Sequence, residues 1–300
     1  MRLLRFLRRR EPPELPRAVP RPGVPAGGVV PLGARSAVDR IAALGEARLP
    51  TPDAVAVVRL VGRGWTAAGI RPRGIDEWSE AFARILPQAF TVRPAESPFG
   101  TRLGVMRRDG GDVVDHRGRR WSLRDFVDLL HAPWAHGPWL VEVREEMHPD
   151  VRRLHPRTVM PAVVAITVTR DDGRAAVLSA SLSIDVPRRG LEALIGEDPV
   201  RDVIPVDPGD GALLPARRGT REKGMRNVPD WALVRSLLIR AAASSPQMFA
   251  IVWEVMPAAS GPRIVGAWDP EAYRDGGRSL RTLHQALDDA ATGGSGFRFC

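Results

Sequence analysis

Ala162-Val-Val-Ala-Ile-Thr-Val-Thr169 and Ala175-Ala-Val-Leu-Ser-Ala-Ser-Leu-Ser-Ile184 flank the five residues Arg170-Asp171-Asp172-Gly173-Arg174. The two runs are apolar or alternating and β-branched enough to read as strands. Asp-Gly between them supplies a residue that tolerates positive φ, so the stretch predicts an antiparallel hairpin. Further short strands are expected at Trp139–Val143, Phe249–Val255 and Arg263–Val265, the last two around Ser260-Gly261-Pro262. A helix is expected from Pro229 to Ala243, because Trp231, Val234, Leu237, Leu238 and Ala241 recur on one helical face.

Upstream the same mixture continues. Val38, Ile41, Ala42 and Leu44 predict a helix over Ala34–Ala47, ended before Leu49-Pro50-Thr51-Pro52. Ala54–Leu60 reads as a strand, and Trp78, Phe82, Ile85 and Leu86 place a helix over Asp76–Leu86. Ala89–Arg93 and Leu103–Arg107 read as two strands joined by the loop that starts at Pro94. Ser122 is a candidate cap for a helix over Leu123–Leu130, with Asp125 in its first turn. Helices interspersed with antiparallel hairpins predict an α+β fold rather than a doubly wound parallel sheet. No repeat of 20 to 50 residues is present, which argues against a solenoid.

With 300 residues, 44% hydrophobic and 26% charged, the chain is long and apolar enough for a substantial core and too polar for lipid. One cysteine, Cys300, excludes an internal disulfide framework or thiolate cluster, and a reducing, cytoplasmic setting is expected. The net charge of +9 comes almost wholly from arginines scattered along the chain, Lys223 being the one lysine. Scattered charge of this kind gives no specific nucleic-acid patch. The arginines of residues 1–10 alternate with Leu3, Leu4, Phe6 and Leu7, a pattern open to weak contact with an anionic membrane surface or to fraying.

Phosphate-loop, dinucleotide-fingerprint, nucleophile-elbow and H-E-x-x-H signatures are all missing. His131, His136, His148 and His155 lie near Pro and Gly without metal-ligand spacing and read as solvated or capping residues.

Five segments in a shared order resemble the ATP-grasp family, in particular its sugar-transfer-associated and glutamate-ligase-related members. They are Asp39-Arg40 with Leu49-Pro50-Thr51-Pro52; Val92-Arg93-Pro94 with Ser97-Pro-Phe-Gly100-Thr-Arg-Leu-Gly104; Leu140-Val141-Glu142-Val143-Arg144; Val206-Asp207-Pro-Gly-Asp-Gly211-Ala-Leu213; and Pro229-Asp230-Trp231 with Val252-Trp253-Glu254-Val255, Gly261-Pro262 and Gly266-Ala267-Trp268. The resemblance implies two α+β subdomains with a nucleotide cleft between them. The corresponding divisions are a Pro/Gly-rich leader at 1–33, an N-terminal subdomain at 34–138, a C-terminal subdomain at 139–291 and a Gly-rich tail at 292–300.

The resemblance also implies ATP and Mg as cofactors and a carboxylate substrate activated as an acyl phosphate for attack by an acceptor. Phosphoryl transfer of this kind depends on cations at the phosphates and on metal held by oxygen ligands. On this basis Arg93, Gly100, Gly104, Glu142 and Arg144 are the nucleotide-contacting candidates, and Glu254 and Asp269 the metal ligands. Several family residues are replaced. Arginine stands for the phosphate-binding lysine at Arg93, and the two are not equivalent there, one planar and forked, the other a compact charge. Val265-Gly266-Ala267 stands where Glu-Gly-Asn is usual, and Val164 or Ala165 stands where a strand arginine is usual. Three readings follow: an ATP- and Mg-dependent carboxylate–amine ligase acting on a cell-envelope sugar or peptide precursor, a catalytically silent ATP-grasp-like protein with a binding or regulatory role, and a basic polyanion or membrane-surface binder.

Overall fold

The computed structural model describes residues 44, 47–51, 54–61, 64–66, 74–94, 104–115, 118–131, 139–154, 161–169, 172–186, 200–214, 225–245, 248–268 and 270. The helix expected at 34–47, residues 1–33 and the tail at 292–300 lie outside this set apart from Leu44 and Ala47. Two antiparallel sheets and four helices make up the described fold, the α+β class expected from the sequence.

The first sheet runs β2(Gly64–Thr66), β1(Ala54–Val61), β7(Trp139–Val143), β3(Ala89–Pro94), β4(Gly104–Asp109), β5(Asp112–Asp115), β6(Arg120–Ser122). Helices α1(Ile75–Ile85) and α2(Leu123–His131) contribute to the core on one of its faces. In α1 the buried residues are Trp78, Ala81 and Phe82, the spacing that puts three side chains on one stripe. Ser122 caps α2 as expected: its hydroxyl accepts the Asp125 amide at 3.1 Å and donates to the Asp125 carboxylate at 2.7 Å. Rings interlock the layers, with Trp78 edge-on to Phe82 at 5.2 Å and Phe126 within 6.0 Å of Phe90. Strands β5 and β6 were not anticipated. They are short, and Gly110, at φ +63, turns the chain between β4 and β5. Arg120 bridges Asp112 and Asp109 across these strands, and those hydrogen bonds raise its pKa above the usual value.

The second sheet runs β10(Val200–Val206), β9(Ala175–Val186), β8(Ala162–Thr169), β11(Ala250–Ala258), β12(Gly261–Trp268). The predicted hairpin is present, with Gly173 at φ +81 and the Asp172 carboxylate accepting the Arg174 amide. Every residue of β8 is buried, as its continuous apolar run requires of a central strand covered on both faces. Helix α4(Trp231–Ala243) packs on one face through Trp231, Val234, Leu237, Leu238, Ala241 and Ala242. It starts two residues later than expected because Asp230, at φ +52, is still non-helical. Strand β10 escaped the sequence reading since Arg201, Asp202 and Pro205 interrupt its apolar pattern, and proline is tolerated because β10 is a sheet edge.

Two features connect the sheets. Leu44 and Leu49 belong to the core beneath α4, and Pro50 accepts the Ile264 amide of β12. Strand β7, which follows the expected division at 138/139, pairs with β1 and β3 in the first sheet. The chain after it bridges to the β11–β12 hairpin through Met147 opposite Ala258, His148 N–H to Pro257 O and Ala259 N–H to Glu146 O. Glu145 adds Ser260 Oγ at 3.2 Å and Arg263 Nε at 3.5 Å. Helix α3(Pro149–Leu154) follows, its first turn capped by His148 Nδ1, which accepts the Asp150 amide.

Candidate functional site

The motif segments come together in pairs. Val92-Arg93-Pro94 lies on β3 beside Leu140-Val141-Glu142 on β7, with Arg93 opposite Leu140 and Thr91 opposite Glu142. Phe90, Val92, Trp139 and Val141 point into the core shared with α1 and α2. Strand alternation therefore turns Thr91 and Glu142 to the other face, where both are buried. Gly104 pairs with Val92 at the start of β4 with φ +101, a backbone conformation that a side chain would strain. Arg144 is exposed, and its amide donates to Ala89 O. Gly100 and the Arg93 side chain lie outside the described part.

The second group is on β11 and β12. Glu254 is 1% exposed and pairs with Gly266. Ile251, Trp253 and Val255 face α4, so Glu254 is on the opposite face with Val252, Val164 and Ile166. Trp253 is anchored on its own side by donating its indole N–H to Thr167 Oγ1 at 2.8 Å. The Trp268 indole N–H donates to Glu254 Oε2 at 3.2 Å. Gly266 gives this pair its room, since a Cβ there would lie 2.6 Å from both Glu254 Oε2 and Trp268 Nε1. The register slips by one residue at this point: Glu254 faces Gly266 while Val255 faces Ile264, leaving Val265 as the extra residue of a bulge.

The other positions at which the resemblance implies metal ligands are apolar in this chain and buried. Val265 clusters with Met256 and Ala258, and Ala267 lies in the core under α4. Val164 and Ala165 are buried on opposite faces of β8. Asp269 lies outside the described residues, and among those described no group of three or more His, Cys, Asp or Glu is placed to hold a metal ion. Magnesium wants an octahedron of oxygens from carboxylates, water and phosphates. Among the described residues Glu254, buried and accepting from an indole, is not joined by the group of oxygen ligands that would meet that requirement.

The remaining two segments meet elsewhere. Gly211, at φ +78, lies against Trp231, where an added Cβ would be 2.3 Å from Cγ. The Asp207 and Asp210 carboxylates close the turn by accepting the amides of Gly209 and Ala212. A surface pocket of about 420 Å³ opens between this turn and α4, lined by Asp210, Arg235 and Arg240 among others. This part of the resemblance is architectural, a turn and a helix start that fit each other.

Sequence reasoning singled out Glu142 and Glu254 but missed Thr91, Gly266 as a cradle and Trp268 as a donor. The signal for Trp268 was its spacing of two from Gly266, which puts both on one face of a strand.

No family profile and no curated protein matches the chain. Solved structures similar to it include the N5-carboxyaminoimidazole synthase of Aspergillus clavatus in complex with ADP and 5-aminoimidazole ribonucleotide, at 13% identity and a TM-score of 0.42, covering 77% of this chain and 43% of that one. They include an L-amino acid ligase from Bacillus licheniformis, at 15% identity and 0.40, covering 83% and 42%. A RimK domain protein ATP-grasp from Sphaerobacter thermophilus is similar at 13% and 0.40, covering 84% and 66%. The chain spans less than half the length of the first two, and likeness of this degree says nothing of substrate or catalysis.

Proposed function

We propose that this chain is an ATP-grasp-type protein that binds a nucleotide between its two sheets, with the first sheet ending after β7. The observation that carries the reading is the pairing of motif segments, one pair distant in sequence and one within a hairpin. Val92-Arg93-Pro94 and Leu140-Val141-Glu142 become neighbouring strands, and so do Val252-Trp253-Glu254 and Gly266-Ala267-Trp268. Each pair places one buried glutamate on the sheet face turned away from its helices. In this reading Glu142, with Thr91 opposite, serves the base end of the nucleotide, and Arg93 together with the loop to Gly104 serves its phosphates. ATP, when bound, supplies the phosphoryl group that activates a carboxylate in ligases of this type. The ligase reading, with a cell-envelope sugar or peptide precursor as substrate, belongs to this proposal at the level of reaction class.

A second reading, catalytic silence with nucleotide binding retained, is favoured by one observation: Val265 and Ala267 fill with core packing the places where metal ligands would stand. Magnesium is not used in any step here, since the described residues do not fit it.

Thermal unfolding with and without millimolar ATP tests the proposal. A ligand that binds the native state at about 100 times its Kd stabilises by roughly 2.7 kcal/mol. That corresponds to a rise of roughly 4 °C in Tm for a chain of 300 residues. Arg93→Ala is expected to reduce the rise. No shift at saturating nucleotide refutes nucleotide binding and leaves the fold in another use. Salt-dependent retention on a polyanion, with no response to ATP, would favour the basic-binder reading instead.

A further inference from the structure

We infer that Trp268 is the positioning partner of Glu254 and that the pair makes this carboxyl a fixed acceptor within the protein instead of a metal ligand, so that a nucleotide binds beside it without a divalent cation. The last clause rests on the nucleotide reading above; the first does not.

Three features of β11 and β12 support it. The indole N–H of Trp268 donates to Glu254 Oε2 at 3.2 Å, with Glu254 1% and Trp268 3% exposed. A carboxyl taken this far out of water persists only where the protein supplies donors. Gly266 is the one residue type that admits the pair, because any Cβ would stand 2.6 Å from both polar atoms. The bulge then decides the fate of the flanking positions. Val265, the extra residue, stays on the Glu254 face and packs with Met256 and Ala258, whereas Ala267 is turned to the face beneath α4. The geometry that orients Glu254 therefore also sets apolar side chains at the two flanking positions. A magnesium ion keeps several waters and meets substrate phosphates, which requires an open, oxygen-rich surround. The described residues on this face include Val252, Val164, Ile166 and the Trp268 indole.

The test is the Nε1–H resonance of Trp268 in protein carrying ¹⁵N-labelled tryptophan, identified among the eight indoles by its loss in Trp268→Phe. The resonance is expected to stay in place when MgCl2 is titrated against matched ionic strength. It is expected to move strongly in Glu254→Leu and slightly in Glu254→Gln, which keeps an acceptor oxygen. ATP with a chelator present is expected to raise Tm as much as ATP with magnesium. A saturable, magnesium-dependent shift of the wild-type resonance that Glu254→Gln abolishes would overturn the inference, as would an ATP effect on Tm that requires magnesium. Should ATP fail under both conditions while the resonance behaves as expected, the nucleotide reading and the last clause fall together, and the positioning role of Trp268 stands. The wild-type titration needs no variant, so a variant that does not fold leaves the test intact.

Discussion

Substituting Gly211 by alanine is expected to destabilise the protein by about 1–4.5 kcal/mol, and the origin of that loss can be divided by a second substitution. Gly211 has φ +78, a conformation that costs an L side chain about 1–2 kcal/mol. Its new methyl would also stand 2.3 Å from Trp231 Cγ and 2.5 Å from Trp231 Cβ, at the first residue of α4. Trp231 is buried in the core, so it yields only by shifting the helix start or the turn, an overpacking cost of about 1–3 kcal/mol. Gly173, in the β8–β9 turn, has nearly the same φ of +81 but nothing within 4 Å of its added Cβ. Gly173→Ala therefore carries the backbone term alone. Both variants also lose unfolded-state entropy by about 0.4–1 kcal/mol, and this cancels in the difference. Urea unfolding of wild type, Gly173→Ala and Gly211→Ala should place Gly211→Ala below Gly173→Ala by at least about 1 kcal/mol. Equal losses in the two variants, within about 0.5 kcal/mol, would refute the claim that this glycine exists to admit Trp231.

Trp253→Phe removes the buried indole donor to Thr167 Oγ1 and should cost about 1–3 kcal/mol through the stranded hydroxyl, with part of it recovered in the double variant with Thr167→Val, both read by urea unfolding. Gly266→Ala forces Glu254 and Trp268 apart and should lower stability by about 1–3 kcal/mol while changing the near-ultraviolet dichroism of the indoles; an unchanged spectrum with unchanged stability would contradict the cradle. Arg124→Ala breaks the 2.6 Å ion pair between α2 and α1, yet both side chains are mostly exposed, so less than about 1 kcal/mol should be lost in the same assay.

What the sequence made legible was local. The β8–β9 hairpin follows from an Asp-Gly turn between two apolar runs, and α1, α2 and α4 follow from a 3.6-residue apolar period with a serine cap at Ser122. What it concealed was pairing between distant segments. Nothing near Trp139 announces that β7 inserts between β1 and β3, so a division at 138/139 looks natural along the chain although it falls just before a strand of the first sheet. Glu254 could be picked out through the family resemblance, as the carboxylate standing where a metal-binding residue is usual. That Trp268 donates to it requires knowing that β12 runs antiparallel to β11 and that a bulge at Val265 shifts the register. One residue of slip changes which side chains share a face, and no period in the sequence records it.

The two buried glutamates are informative together in a way neither is alone. A sheet covered by helices on one face gains most from apolar residues on both, and replacing a buried polar group with a well-packed apolar one is often neutral or stabilising. Yet each sheet here carries one glutamate, near 1% exposed, on the face its helices do not cover. On the first sheet Glu142 stands directly opposite Thr91, and on the second Glu254 stands opposite Gly266 under the Trp268 indole. In both cases the opposing strand supplies a small or polar residue where an apolar one would pack better. Fold stability does not call for such matched concessions on two separate sheets. The nucleotide reading proposed above gives both glutamates a use, and the strap from Glu145 to His148 onto the β11–β12 hairpin ties the two sheets together.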